Sequence, residues 1–106
     1  MVKIEKIRQL SRQIAQEFNP ERIILFGSYA IGSPGEDSDV DLLVVMPFDG
    51  KPARKAFEIL KLVNPLFPVD LIVRTPKQVK QRLEWNDFFL RDIFQNGKIL
   101  YEASHS

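Results

Sequence analysis

The chain has 106 residues, no cysteine, and 15 basic against 14 acidic residues. That length suits one ordinary core and is too short for two. The lack of thiols excludes disulfides and thiolate metal sites, and a net charge of +1 gives no bulk field for nucleic acid or a membrane surface. The start, MVKIEKIRQLSRQ, is too interrupted by charge for a signal peptide, and no apolar run nears the roughly 18 residues of a membrane span. A soluble, cytoplasmic single domain over 1–106 is the expectation.

Ile4, Ile7, Leu10, Ile14 and Phe18 recur at three and four, the period of an amphipathic helix, which Asn19-Pro20 stops. Arg22 to Phe26 (RIILF) reads as a buried strand closed by Gly27-Ser28. Tyr29 to Gly32 has room for a short helix before Ser33-Pro34-Gly35 breaks it. Val40 to Met46 is a second strand whose near-continuous apolar content predicts cover on both faces. After a turn over Pro47 to Pro52, Ala53 to Val63 has a helical face formed by Ala56 or Phe57, Leu60 and Val63. Val69 to Val73 is a third strand. Thr75-Pro76 fits an N-cap and a first-turn proline for a helix over Lys77 to Leu83. Asn86 to Gln95 is a further helix closed by Asn96-Gly97, and Lys98 to Tyr101 is a candidate short edge strand. The order predicts an α/β fold: a small mixed sheet of three main strands plus that edge strand, flanked by helices. The helix between the second and third strands predicts that these two run parallel. The pairing direction of the first two stays open.

Function concentrates in FGSYAIGSPGEDSDVDLLVVM, from Phe26 to Met46. Gly27-Ser28 opens a helix, where free backbone N–H groups favour an anion. Asp39 and Asp41, at i and i+2 of a strand start, project from one face, roughly 6–7 Å apart at their Cα atoms. Two acids that close repel unless a cation joins them, and Mg²⁺ is the usual oxygen-seeking choice. A phosphate cradle beside such a pair is equipment for phosphoryl or nucleotidyl transfer. Asp70, inside an apolar segment where a lone carboxylate is expensive to bury, can join the pair if the second and third strands are neighbours. Three acids suit two cations and an in-line displacement, with Asp70 as metal ligand and base for an incoming hydroxyl.

Gly27-Ser28, ten residues, Asp39-Val40-Asp41, and Asp70 on a following strand together resemble the nucleotidyltransferase superfamily that includes DNA polymerase β. The wording FGSYA…SDVDLLV and the ending GKILYE look like its minimal nucleotidyltransferase (MNT) branch. The resemblance covers nearly the whole chain. It implies a polymerase β-like nucleotidyltransferase fold and a Mg²⁺-dependent enzyme, with two ions, moving a nucleoside monophosphate, usually AMP from ATP, onto a hydroxyl. Gly27 and Ser28 would bind the triphosphate, Asp39 and Asp41 would hold Mg²⁺, and Asp70 would serve the acceptor side. Members of this branch often accompany an all-helical HEPN protein as the antitoxin of a toxin–antitoxin pair, which makes such a protein the expected partner and acceptor. Larger relatives hold the acceptor with an added helical domain. Nothing after Ser106 could do so here, so a second copy or a different protein is expected to complete the acceptor site. The rival readings are a non-catalytic nucleotide-binding antitoxin that masks its partner, and a small-molecule nucleotidyltransferase.

One position departs from the branch: Ile31 stands where many members have arginine, with Arg22 and Arg74 as the candidate substitutes. Simpler roles compete at several residues. Asp70 could pair with Arg22 or Arg74, Ser38 could be a turn hydroxyl, and Glu36 and Asp37 suit a solvated loop. Lys3, Lys6, Arg8 and Arg12 read as the wet face of the first helix rather than an RNA patch. Phe88, Phe89, Leu90, Ile93 and Phe94 cover more than one helical stripe, so part of that surface is a candidate partner or dimer face. His105 is assigned no role.

Overall fold

The computed structural model describes residues 1–104; His105 lies outside them. The amphipathic stripe at the start forms α1 (Ile4–Phe18), which ends where Asn19 turns left-handed and returns its N–H to the Ala15 carbonyl. Next come β1 (Arg22–Phe26), the four-residue α2 (Ser28–Ile31) and β2 (Val40–Val45). The second half consists of α3 (Pro52–Val63), β3 (Val69–Arg74), α4 (Pro76–Glu84), α5 (Phe88–Asn96) and β4 (Lys98–Glu102). Elements and order match the sequence reading, with small shifts at the ends. Pro52 is the first residue of α3 rather than the end of a turn. Asn86 lies outside α5, because its positive φ of 59° breaks the chain direction and Asp87 takes the cap.

The sheet order is β3-β2-β1-β4. As expected, β2 and β3 run parallel. The open pairing of β1 with β2 is antiparallel, and β4 closes the far edge antiparallel to β1. The described residues therefore form a four-stranded mixed sheet in which β2 sits centrally.

That position explains the apolar run in β2. Leu42 and Val44 face α1 and α3, where they meet Ile7, Leu10, Ile14, Ile59 and Val63. Leu43 and Val45 face the other way, onto Val79 of α4 and Leu90 and Ile93 of α5. All four side chains are buried, and truncating either leucine to alanine costs about 2–5 kcal/mol. The close seating of α5 on the sheet depends on Gly97. A Cβ there would lie 2.6 Å from Ile24 Cγ2 and 2.9 Å from the Leu25 carbonyl. The five-residue aromatic and aliphatic run divides accordingly: Leu90 and Ile93 enter the core, while Phe88 and Phe89 stay exposed. Among the described residues, no helix is long and apolar enough to cross a membrane.

Candidate active site

Alternation along the strands fixes where the acids point. Asp41 shares its face of β2 with Leu43 and Val45, the face covered further along by α4 and α5. In register, Asp41 pairs with Asp70 across β3 and with Phe26 across β1. The two acids thus lie side by side at the same end of adjacent strands, with Phe26 as an apolar wall on the other flank. Phe89 meets Phe26 edge-on, with ring centroids 5.7 Å apart. Asp39 precedes β2 by one residue, and its charge is felt at Asp41.

Electrostatics single out Asp41. Partial burial raises its pKa from the ordinary value of 3.8, and the charges of Asp70 and then Asp39 push it further the same way. No basic side chain among the described residues forms an ion pair with any of the three acids. The simpler reading of Asp70 as an arginine partner is therefore corrected. Arg22 pairs with Glu102 (Nε–O 3.5 Å) and lies over the Phe94 ring, while Arg74 donates to the Val73 carbonyl. Both arginines stand at the opposite strand ends from the acids, about 13 Å away at roughly 3.3 Å per residue. For the same reason neither can stand in for the arginine missing at Ile31, which is itself 69% exposed.

A second expectation also changes. Asp70 is exposed, because β3 is an edge strand and its first residues extend past the covering helices. Burial therefore does not explain this carboxylate; its register opposite Asp41 does. Among the described residues, no three metal-binding side chains surround one point as a ready-made cage. The acids are close neighbours, not a closed site.

Gly27 is where the turn and the acids meet. It holds φ 74° and ψ −155°, a conformation confined essentially to glycine. A Cβ there would collide with the Asp41 carboxylate and lie 3.2 Å from its Cγ. The Gly27 carbonyl accepts from the Ala30 and Ile31 amides (3.0 and 3.3 Å), so α2 is properly opened. The amides of Ser28 and Tyr29 stand in the first turn, where an α-helix supplies no partner of its own. Tyr29 anchors this turn by accepting the Val2 N–H at 3.0 Å. Ser38 is a turn hydroxyl, accepting the Gly35 N–H at 2.8 Å, and Glu36 and Asp37 are exposed loop residues.

On the other flank of the turn, a depression of about 260 Å³ is lined by Gly27, Ser28, Ile31, Asp92, Asn96 and Gly97 among others. Asp92 and Asn96, bridged at 2.6 Å, were not singled out from sequence. Their i, i+4 polar spacing just before Gly97 was the available signal.

A mixed sheet with a glycine-serine turn after its first central strand, and acids paired across the next two, defines a nucleotide-transfer fold. The family comparison agrees: the chain belongs to the nucleotidyltransferase domain family, whose model matches residues 7–101. The resemblance noted from the motif is thereby borne out, and the protein is a transferase of the nucleotidyl-moving class. A relative from Methanocaldococcus jannaschii, named as a candidate protein adenylyltransferase, is 32% identical over 87 residues, covering 76% of this chain and 78% of its own. Solved structures with the same fold include a candidate nucleotidyltransferase from Sulfolobus solfataricus (TM-score 0.58, 22% identity), covering 73% of this chain and 70% of that one. A toxin–antitoxin structure with AMP-PNP also shares it (TM-score 0.53, 21% identity), covering 97% of this chain and 76% of that one. So does a mutant of the toxin–antitoxin pair MntA–HpeT, with TM-score 0.52, 19% identity and the same two coverages.

Proposed function

We propose that this nucleotidyltransferase moves AMP from ATP onto a hydroxyl of a HEPN-type protein and so acts as the antitoxin of a pair. The observation that carries the transfer reading is Asp41: partly buried, flanked by two like charges, unpaired, and touching the turn that would hold phosphate. The protein acceptor rests on the name of the M. jannaschii relative. The antitoxin role rests on the toxin–antitoxin neighbours and on the MNT resemblance.

The residues fit Mg²⁺. Asp39, Asp41 and Asp70 offer only carboxylate oxygens, which do not converge on one point in the free chain. The repulsion at Asp41 is what a divalent cation drawing them together would relieve. When bound there, two Mg²⁺ ions would neutralise triphosphate charge and favour the ionised form of an acceptor hydroxyl. The first-turn amides beyond Gly27 would donate to the phosphates, and Gly27, lacking a Cβ, lets this turn lie against the Asp41 carboxylate. Asp70, exposed at the strand edge, is reachable by an acceptor from another molecule and takes the hydroxyl proton. The acceptor oxygen bonds to the α-phosphorus, the bond from that phosphorus to the bridging oxygen breaks, and pyrophosphate leaves.

Incubating the chain with labelled ATP, Mg²⁺ and a purified HEPN partner tests this. Label on the partner that vanishes with Asp39→Asn or Asp41→Asn is the expected result. Tight binding without label transfer replaces the enzyme with a masking antitoxin. Label appearing on small-molecule hydroxyls but never on protein assigns the third class.

A further inference from the structure

The basic residues set aside as the wet face of α1 gain a neighbour once the chain folds. Lys3, Lys6 and Arg12 line a groove of about 1010 Å³ between α1 and the loop from α3 to β3. Leu10 and Val63 form its floor, and Leu66, 97% exposed, stands on the opposite lip. No carboxylate lines it, and among the described residues none of its three cations forms an ion pair. An exposed leucine facing uncompensated cations leaves both an apolar and an anionic requirement unmet.

We infer that this groove docks an acidic amphipathic helix of a partner protein. The form of the occupant follows from the walls. One wall is a helix, whose backbone groups are already bonded internally, so an extended peptide would find no strand edge to join. A helix laying apolar side chains on Leu10, Val63 and Leu66, with carboxylates at its flanks, satisfies floor and rim together. Its source follows from charge: none of the five helices described carries more acidic than basic residues, so a second copy cannot supply it. RNA is disfavoured by the apolar floor and by the lack of an exposed ring for base stacking, Phe67 being half-buried.

The groove lies on the α1/α3 face of the sheet, whereas the acids lie on the α4/α5 face. The acids therefore take no part in the groove, although Val2 on its lining is hydrogen-bonded to Tyr29 of the glycine-serine turn. Peptide binding is read without nucleotide and so is tested separately from AMP transfer.

The test uses three fluorescein-labelled probes against the full chain. One is a helical peptide with leucine at helical spacing and glutamate elsewhere, the second is its lysine counterpart, and the third is a single-stranded RNA of similar length. Anisotropy is expected to show the glutamate peptide binding at least about 10-fold more tightly than the lysine peptide, with the preference shrinking as salt rises. Amide shifts should fall on α1 and around Leu66. The triple variant Lys3→Glu, Lys6→Glu, Arg12→Glu should weaken binding about 10-fold, and Leu66→Asp should weaken it with every groove cation retained. Because Leu66 is almost fully exposed, that second variant keeps the test usable if the triple one misfolds. Asp41→Asn should bind the peptide like wild type even when label transfer is lost. Absence of binding, equal binding of the two peptides, tighter binding of the RNA, or indifference to Leu66→Asp would each overturn the assignment.

Discussion

Asp41 and Asp87 are both aspartates at the start of an element, and the fold treats them oppositely. Asp87 caps α5: its Oδ1 accepts the Leu90 N–H at 3.1 Å and its Oδ2 accepts from Arg82 at 3.3 Å. These contacts hold its pKa below the ordinary 3.8, the Leu90 bond contributing most. Asp41 has burial and two neighbouring carboxylates instead, and its pKa moves up. One acid is a finished structural contact. The other is left with partial burial and like-charge repulsion that no basic side chain among the described residues offsets, which is the pattern of a site kept at some cost to stability.

The strongest way to break this contrast is to press on Asp41 from Gly27. In Gly27→Ala, the backbone conformation alone costs about 1–3 kcal/mol, and the new methyl collides with the Asp41 carboxylate. Denaturant unfolding should show that loss, and label transfer should fall below detection. Repeating the substitution in an Asp41→Ala background removes the collision, so the second stability loss should be smaller than the first. Equal losses in both backgrounds would mean that the two residues do not touch.

Asp41→Asn should separate stability from activity. Transfer is expected to fall by at least about 10-fold if Asp41 is the proposed metal ligand, since replacing a ligand should cost no less than replacing its supporting residues. Stability in chelator-containing buffer should hold or rise, because the like-charge repulsion of Asp41 by Asp70 and Asp39 disappears. A folded-state pKa raised above the unfolded one means that the ionised group opposes folding above that raised value, and the opposition is relieved as pH falls through it. The gain from Asp41→Asn should therefore be greatest near neutrality and vanish towards pH 3.8 and below. A variant less stable than wild type at pH 7 would show that the Asp41 carboxylate is a structural group after all.

The same contrast marks what was legible in the sequence. The apolar run in β2 signalled two covered faces, and helical spacing signalled α1, because both report local burial patterns. Asp70 was legible as a partner of Asp41 once β2 and β3 were taken as parallel neighbours. Its exposure was not, since that depends on how far α4 and α5 extend over an edge strand. Nor could the sequence show that the Asp41 carboxylate occupies the space a Cβ of Gly27 would fill, a juxtaposition made only when β1 and β2 pair antiparallel. The candidate substitutes Arg22 and Arg74 failed for a related reason: closeness in a motif list says nothing about which end of a strand a side chain occupies.

Removing the finished contact should cost stability but not chemistry. Asp87→Ala leaves the first amides of α5 uncapped, so the melting temperature should fall by a few degrees with transfer largely kept. Because the Asp87 pKa is depressed in the fold, its stabilising effect is complete above its unfolded value, near 3.9. It is lost as pH falls through the lower folded value. Wild type and Asp87→Ala should therefore differ in thermal stability at pH 7 and converge in strong acid. A constant difference down to low pH would show that the side chain acts by packing and not as a carboxylate.

The smallest effect tests which partner of Asp87 matters. The ion pair with Arg82 is exposed, and such pairs are weak and screened by salt, whereas the Leu90 amide would otherwise lack a helical partner. Arg82→Gln should therefore lower the melting temperature less than Asp87→Ala does, and the difference from wild type should fade as salt is raised. The pH range over which Asp87 titrates should shift only slightly upward, since the backbone bond remains the leading cause of its depression. An Arg82→Gln variant as destabilised as Asp87→Ala, at high salt as well as low, would reverse the order. The junction of α4 and α5 would then depend on a charge pair, and the difference between Asp41 and Asp87 would be one of partner sign rather than of backbone capping.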